Sequence, residues 1–387
     1  MLYLDNSATT PVYPEVIEVM ADVMKNHFGN PSSLHGLGVK AERLVEQSRK
    51  VIAQAMKASP EEIFFTSGGT ESDNLAIMGA ARAYQNRGKH LITSEVEHPA
   101  VYEVMEQLQQ EGFEITFLPV DNKGKVKIEE LKKAIREDTI IVSIMHVNNE
   151  VGTIQPIEEI GRLLSTYPKI LFHVDAVQSF GKLPISVREL GVDLCSVSAH
   201  KLHGPKGIGA LYVRKGVQLE PILRGGGQER NLRSGTHNVS AIAGFAKAVL
   251  MSLKLQKNKM TQFTEWKRKL VEEIEEHLPF AQIVGDTSLN ESVPYLLNIS
   301  FPGFKSEVIV HALEEQEIYV SSKSACSSKI EKPSRVLLAM GCSNEVAVSA
   351  IRLSLGYLSQ KEDFPKAFQA LQKIIPTLQQ VMKVQTR

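Results

Sequence analysis

Strands and helices alternate along most of this 387-residue chain, and the pattern predicts an α/β protein: a mostly parallel sheet flanked by helices, followed by a smaller α+β part. Two observations carry the larger part. Short apolar runs recur at residues 63–66, 90–93, 113–117, 140–144 and 171–175, and several of them stop at small polar residues. Amphipathic segments expected to be helices lie between them, at 39–56, 74–83 and 99–109. Such strand–helix alternation builds parallel sheets. A third observation marks the smaller part. Beyond about Lys254 the texture changes to a long charged helix at 263–277, a strand at 295–300, a helix at 306–316 and a strand at 318–320. The expected division is 15–254 for the large part, with 1–14 and 255–387 forming the small one.

Composition bounds the function. Hydrophobic residues make up 43% and charged residues 23%, and 44 Lys plus Arg balance 44 Asp plus Glu. A zero net charge gives no support for a broad nucleic-acid face. No unbroken apolar run approaches membrane-spanning length, and the start Met1-Leu2-Tyr3-Leu4-Asp5-Asn6 does not read as a signal peptide, so a membrane is not expected. The cysteines Cys195, Cys326 and Cys342 have neither metal-ligand spacing nor the density of a disulfide framework. The cytoplasm and no metal are expected.

Chemistry concentrates around Ser198-Ala199-His200-Lys201-Leu202-His203-Gly204. An apolar run at 192–197 ends there, and a lysine at the end of a buried strand can be desolvated enough to free its amine for Schiff-base formation. Taken alone, Lys201 reads as a surface lysine on a turn, and Asp175, ending the run 171–175, as a helix cap. Together with Ser67-Gly68-Gly69-Thr70, a small-residue turn opening a helix, they read differently. A lysine for an aldehyde, a carboxylate for a pyridinium nitrogen and a helix N-terminus for a phosphate are the needs of pyridoxal 5'-phosphate (PLP). All three lie at carboxyl ends of expected strands, where open α/β sheets bind ligands.

On these motifs the sequence resembles the cysteine desulfurases of the class V aminotransferase group, within PLP fold type I, in the branch typified by nitrogen-fixation and iron–sulfur-cluster desulfurases. The resemblance runs from Tyr3-Leu4-Asp5-Asn6-Ser7-Ala8-Thr9-Thr10 to Ile351-Arg352-Leu353-Ser354-Leu355-Gly356. It implies that Lys201 holds PLP covalently, that Asp175 pairs with the pyridinium nitrogen, and that Gln178 bonds the phenolic oxygen. His98, by itself an ordinary loop histidine, would stack on the ring and assist proton transfer. Gly69, Thr70, Ser198 and His200 would hold the phosphate, and Thr236, in Arg233-Ser234-Gly235-Thr236, would reach the phosphate of a partner subunit in a homodimer. Asn149 would lie near the phenolic oxygen and the substrate carboxylate. Arg352, on spacing alone as well a strand-edge ion pair, would clamp that carboxylate with its planar fork.

The same resemblance places the sulfur-accepting residue at Cys326, in Ser321-Ser322-Lys323-Ser324-Ala325-Cys326-Ser327-Ser328-Lys329. Composition alone leaves open an adventitious surface thiol, although Lys323 and Lys329 suit a thiolate. Lys323 stands where the family pattern has glycine. The implied reaction converts L-cysteine to L-alanine and leaves a persulfide on Cys326 for an acceptor protein. Rivals are a selenocysteine lyase, a PLP aminotransferase and a non-catalytic sulfur-delivery scaffold, the last opposed by the intact set Lys201, Asp175, His98 and Arg352. The chain ends at Arg387 without the longer tail of iron–sulfur desulfurases, so a tRNA-thiolation enzyme and an iron–sulfur scaffold are comparable expectations for the acceptor.

Overall fold

Short runs rich in β-branched residues form the strands of the computed structural model, which describes residues 1–288, 290–322 and 333–382. In chain order these are β1 (Leu2–Tyr3), β2 (Ile63–Thr66), β3 (His90–Ser94), β4 (Glu114–Leu118), β5 (Thr139–Ser143), β6 (Leu171–Asp175), β7 (Leu194–Ser198), β8 (Gly209–Val213), β9 (Gln282–Val284), β10 (Leu296–Ser300), β11 (Ile318–Tyr319) and β12 (Ala350–Ser354).

The large sheet has the order β2-β8-β7-β6-β5-β3-β4. Pairs among β3 to β7 are parallel, whereas β8 lies antiparallel between β2 and β7. β8 was not anticipated as a strand. The ten residues between β7 and β8 are too few for a helical crossover, so the chain must turn back on itself. β3, β5, β6, β7 and β8 are buried at every position, which is why the first four read as apolar runs without alternation. Since β2 and β7 both oppose β8, the carboxyl ends of β2, β3, β5, β6 and β7 share one edge. The segments carrying Gly69, His98, Asn149, Gln178 and Lys201 leave from that edge.

The smaller part has β10 between antiparallel β9 and β12, and β1 pairs in parallel with β11. Its core joins Leu4, Tyr13 and Val16 to Phe263, Trp266, Leu270, Phe301, Leu353 and Phe364. The helix expected at 263–277 is longer, Val239–His277. Its lysines and glutamines are strong helix formers, so the polar middle continues the helix across a stretch that buries little. Its first half enters the large core through Ile242, Phe245 and Val249, and its second half enters the small one through Phe263, Trp266 and Leu270. The division expected after residue 254 therefore falls inside an unbroken helix. By length and composition this helix could also cross a membrane. Lys247 and Lys254 interrupt the run, and the apolar faces on either side of them pack into the two cores.

Candidate functional site

Lys201 ends a short turn, Ala199–Lys201, that follows β7 directly. Its Nζ donates to the carbonyl oxygens of Ser7 and of Ala8, the latter at 2.8 Å. Asp175 is the last residue of β6, buried, and one of its oxygens accepts the Val177 amide at 2.9 Å. Burial pushes its pKa up to about 6, against the pull of that amide and of Lys201. Gln178, three residues on, donates to the Ser7 carbonyl at 3.0 Å.

The helix Gly69–Tyr84 starts at Gly68 without a side-chain cap, so its first-turn amides have no acceptor of their own. Side chains are excluded here by close approach. A Cβ on Gly69 would meet Val177 Cγ2 at 2.7 Å, and one on Gly209 would meet Gly68 Cα at 2.7 Å. His98 is the N-cap of helix Pro99–Gln110, and its Nδ1 accepts the Ala100 amide at 3.1 Å. The ring proton of the neutral form therefore sits on Nε2. Burial first, then the charges of Lys201 and Arg335, push the His98 pKa down to about 4. Burial and the neighbouring lysines push His200 down to about 3.

Arg352, in the middle of β12, is 1% exposed. Nη1 donates to the Asn149 carbonyl at 2.7 Å and Nη2 to Asp5 at 2.9 Å, while the buried Nε has no hydrogen-bond partner among the described residues. Asp5 was not assigned from sequence, although it lies in the quoted Leu4-Asp5-Asn6-Ser7 stretch.

One cavity brings together Gly69, Thr70, His98, Asn149, Asp175, Gln178, His200, Lys201 and Arg352. Ser7, Ala8, Asp73, Met145 and Val177 complete its lining, and sequence reasoning missed all five. Asp73 had a signal, since it lies one turn after Thr70 on the same helix. Ser7 and Ala8 contribute carbonyls, which no side-chain pattern reveals. Ser198 lines an adjoining groove that shares Gly69, Thr70 and His200. Thr236 lines neither and is exposed. Cys326 and Lys323 lie outside the described residues. Among the described residues, no group of three His, Cys, Asp or Glu could hold a metal.

The cavity suits a phosphorylated, ring-bearing group. The Gln178 amide oxygen is buried without a hydrogen-bond partner among the described residues, a carboxylate ends β6 in the cavity lining, and the uncapped helix start at Gly69 in the same lining has the polarity that favours an anion.

The family profile described as Aminotransferase class-V matches residues 2–366. The cysteine desulfurase IscS of Dictyoglomus turgidum is 46% identical over 380 residues, covering 98% of this chain and 96% of that protein. The cysteine desulfurase IscS of Methanosarcina thermophila is 44% identical, covering 97% and 92%. This chain belongs to the cysteine desulfurase branch of the class-V aminotransferases. Solved structures agree. A NifS-like protein superposes with a TM-score of 0.91 at 40% identity, covering 97% of this chain and 99% of that one. SspA, solved in complex with cysteine, gives 0.79 at 36% identity over 93% and 100%. The fold is thus PLP fold type I, and the family is PLP-dependent.

Proposed function

We propose that this class-V chain is a PLP-dependent cysteine desulfurase that converts L-cysteine to L-alanine and retains the sulfur as a persulfide on Cys326. The observation that carries this is the single cavity uniting Lys201, Asp175, the uncapped helix start at Gly69 and the Arg352 guanidinium, in a chain 46% identical to a named desulfurase. PLP, when bound, condenses with an amine and draws electrons from the bonds at Cα.

The residues divide the remaining work. Lys201 would hold the aldehyde carbon of PLP, and its amine would serve as base for the substrate Cα proton. Asp175 would keep the ring nitrogen protonated, and Gln178 would bond the phenolic oxygen. Arg352 and Asn149 would receive the substrate carboxylate, and Gly69, Thr70, Ser198 and His200 the phosphate. His98, neutral and carrying its proton on Nε2, would stack on the ring and assist proton transfer. The substrate C–S bond breaks, an S–S bond forms at Cys326, and the carbon skeleton leaves as alanine after reprotonation. Ser321, five residues before Cys326 in sequence, shares two backbone hydrogen bonds with Arg352, at 3.2 and 2.7 Å. Equimolar alanine and sulfide from L-cysteine with a reductant test the reaction. Formation of 3-mercaptopyruvate with conversion of the cofactor to its amine form would favour an aminotransferase instead.

A homodimer is part of the proposal. Thr236 is exposed on its loop, free to face a second copy, and Met24, Phe28, Leu34 and Leu37 expose an apolar stretch. A fully active monomer in sedimentation would refute it. Cys195 and Cys342 are free thiols, as suits the cytoplasm. The acceptor is a second protein, an iron–sulfur scaffold or a tRNA-thiolation enzyme, and mixing persulfide-loaded protein with each identifies which one takes the sulfur.

Asp175→Asn has two effects of opposite sign. In cofactor-free protein the buried carboxylate is a liability. Its raised pKa means the folded state binds the proton more tightly than the unfolded state, so its penalty is absent below about pH 4, grows to about pH 6 and is constant above. The variant should therefore melt at higher temperature than wild type at pH 8, with the gain vanishing near pH 4. Turnover of the loaded enzyme should fall on the order of 10²-fold, because the ring nitrogen loses its anion. Melting curves at both pH values and an alanine assay check the pair of signs.

A further inference from the structure

Arg335 lies outside the cavity yet holds one of its walls. It opens the short helix Arg335–Ala339, whose N-cap Ser334 accepts the Leu337 amide at 3.2 Å and donates to the Glu150 carboxylate at 2.5 Å. From this fixed base the Arg335 guanidinium reaches the large part. Nη1 donates to the carbonyl of Glu95 and Nη2 to the carbonyl of Glu97, and the guanidinium carbon lies 3.7 Å from the centroid of the Tyr102 ring. The carbonyl between them, on Val96, accepts Asn148 Nδ2 at 3.0 Å. Three consecutive carbonyls are thus held by side chains from elsewhere, two of them by one planar group. The next residue is His98.

Segment 95–98 connects β3 to helix Pro99–Gln110 and belongs to neither, so its polar groups need other partners. A guanidinium fork that takes two carbonyls at once fixes their separation and tilt, which a flexible ammonium cannot do. Tyr102, one turn into the helix that His98 caps, holds the fork's flat face.

We propose that Arg335 is a positioning residue for His98: by bracing the Glu95 and Glu97 carbonyls against Tyr102, it sets the height and tilt of the imidazole over the cofactor ring. This rests on the proposed role of His98. Arg335 also contributes charge. His98 is faced by Lys201 and His200, with Asp175 in the same cavity wall and the buried Glu97 carboxyl on its own loop. Among these the Arg335 cation, with Lys201, favours the neutral imidazole.

The test uses loaded enzyme carrying R335Q, R335K or H98A, each checked for melting temperature and cofactor content. Both Arg335 variants should lower kcat by roughly tenfold or more with KM within about twofold, as displacement of a catalytic group by about an ångström does. R335Q should also move the acid limb of kcat to higher pH, because a positive charge beside His98 is gone, whereas R335K should leave that limb in place. If H98A is impaired while both Arg335 variants keep wild-type kcat and the wild-type acid limb, the bracing role is wrong and the role of His98 stands. Wild-type turnover in H98A would remove His98 from the mechanism, and the brace with it. A loss of kcat that merely tracks lost cofactor or a lowered melting temperature, with an unmoved acid limb in R335Q, would make Arg335 a structural residue only.

Discussion

Replacing Lys201 by alanine should lower turnover of L-cysteine by at least ~10³-fold and leave no cofactor trapped covalently by borohydride. The loss should be this large because one amine performs two tasks, anchoring the cofactor and transferring the Cα proton, and proton transfer alone is commonly worth ~10²–10⁴-fold. The fold should survive. The backbone at Lys201 belongs to a turn closed by the Leu202 amide to the Ala199 carbonyl at 2.9 Å, which alanine also permits. Two other lysines are possible carriers. Lys206 is exposed. Lys182 is buried, with its Nζ 4.6 Å from the centroid of the Tyr295 ring, and burial together with Lys201 and Arg352 pushes its pKa down to about 7. Peptide mapping after reduction decides. Cofactor found on Lys182 or Lys206 would overturn the assignment.

Cys326→Ala should bind L-cysteine and still change the cofactor's absorbance, yet form no persulfide and yield alanine more slowly by on the order of 10²-fold or more, the scale of a missing catalytic group. The other two cysteines cannot substitute. Cys195 is buried inside β7, and burial plus the Asp175 and Asp73 carboxyls push its thiol far up. Burial also raises the half-buried Cys342. The thiolate is the nucleophile, and both surroundings oppose it. Mass spectrometry of the wild-type protein after reaction with L-cysteine should find the added sulfur on the peptide carrying Cys326. Sulfur on Cys195 or Cys342 would refute this.

Much of this protein is legible without coordinates because its signals are local. β3, β5, β6 and β7 each announce themselves as apolar runs, since strands buried on both faces have no polar alternation. Gly68-Gly69, Asp175 and Lys201 stand next to such runs, so their position at strand ends follows from the sequence alone. The smaller part was legible as strands at 295–300 and 318–320 with a helix between them, matching β10, β11 and Ser306–Glu314.

Other features are decided only by the tertiary structure. The direction of β8 depends on the chain reversing within ten residues, and the length of Val239–His277 depends on two separate cores that receive its ends. The Lys201 amine is held by backbone oxygens 194 and 193 residues away. Arg352 meets Asp5 across 347 positions, and Arg335 meets Glu95 across 240. Every residue carries a carbonyl, so a site completed by carbonyls leaves no mark in residue identity. Sequence thus determined which side chains can do the chemistry, and the packing of the small part on the large one determined where those side chains are held.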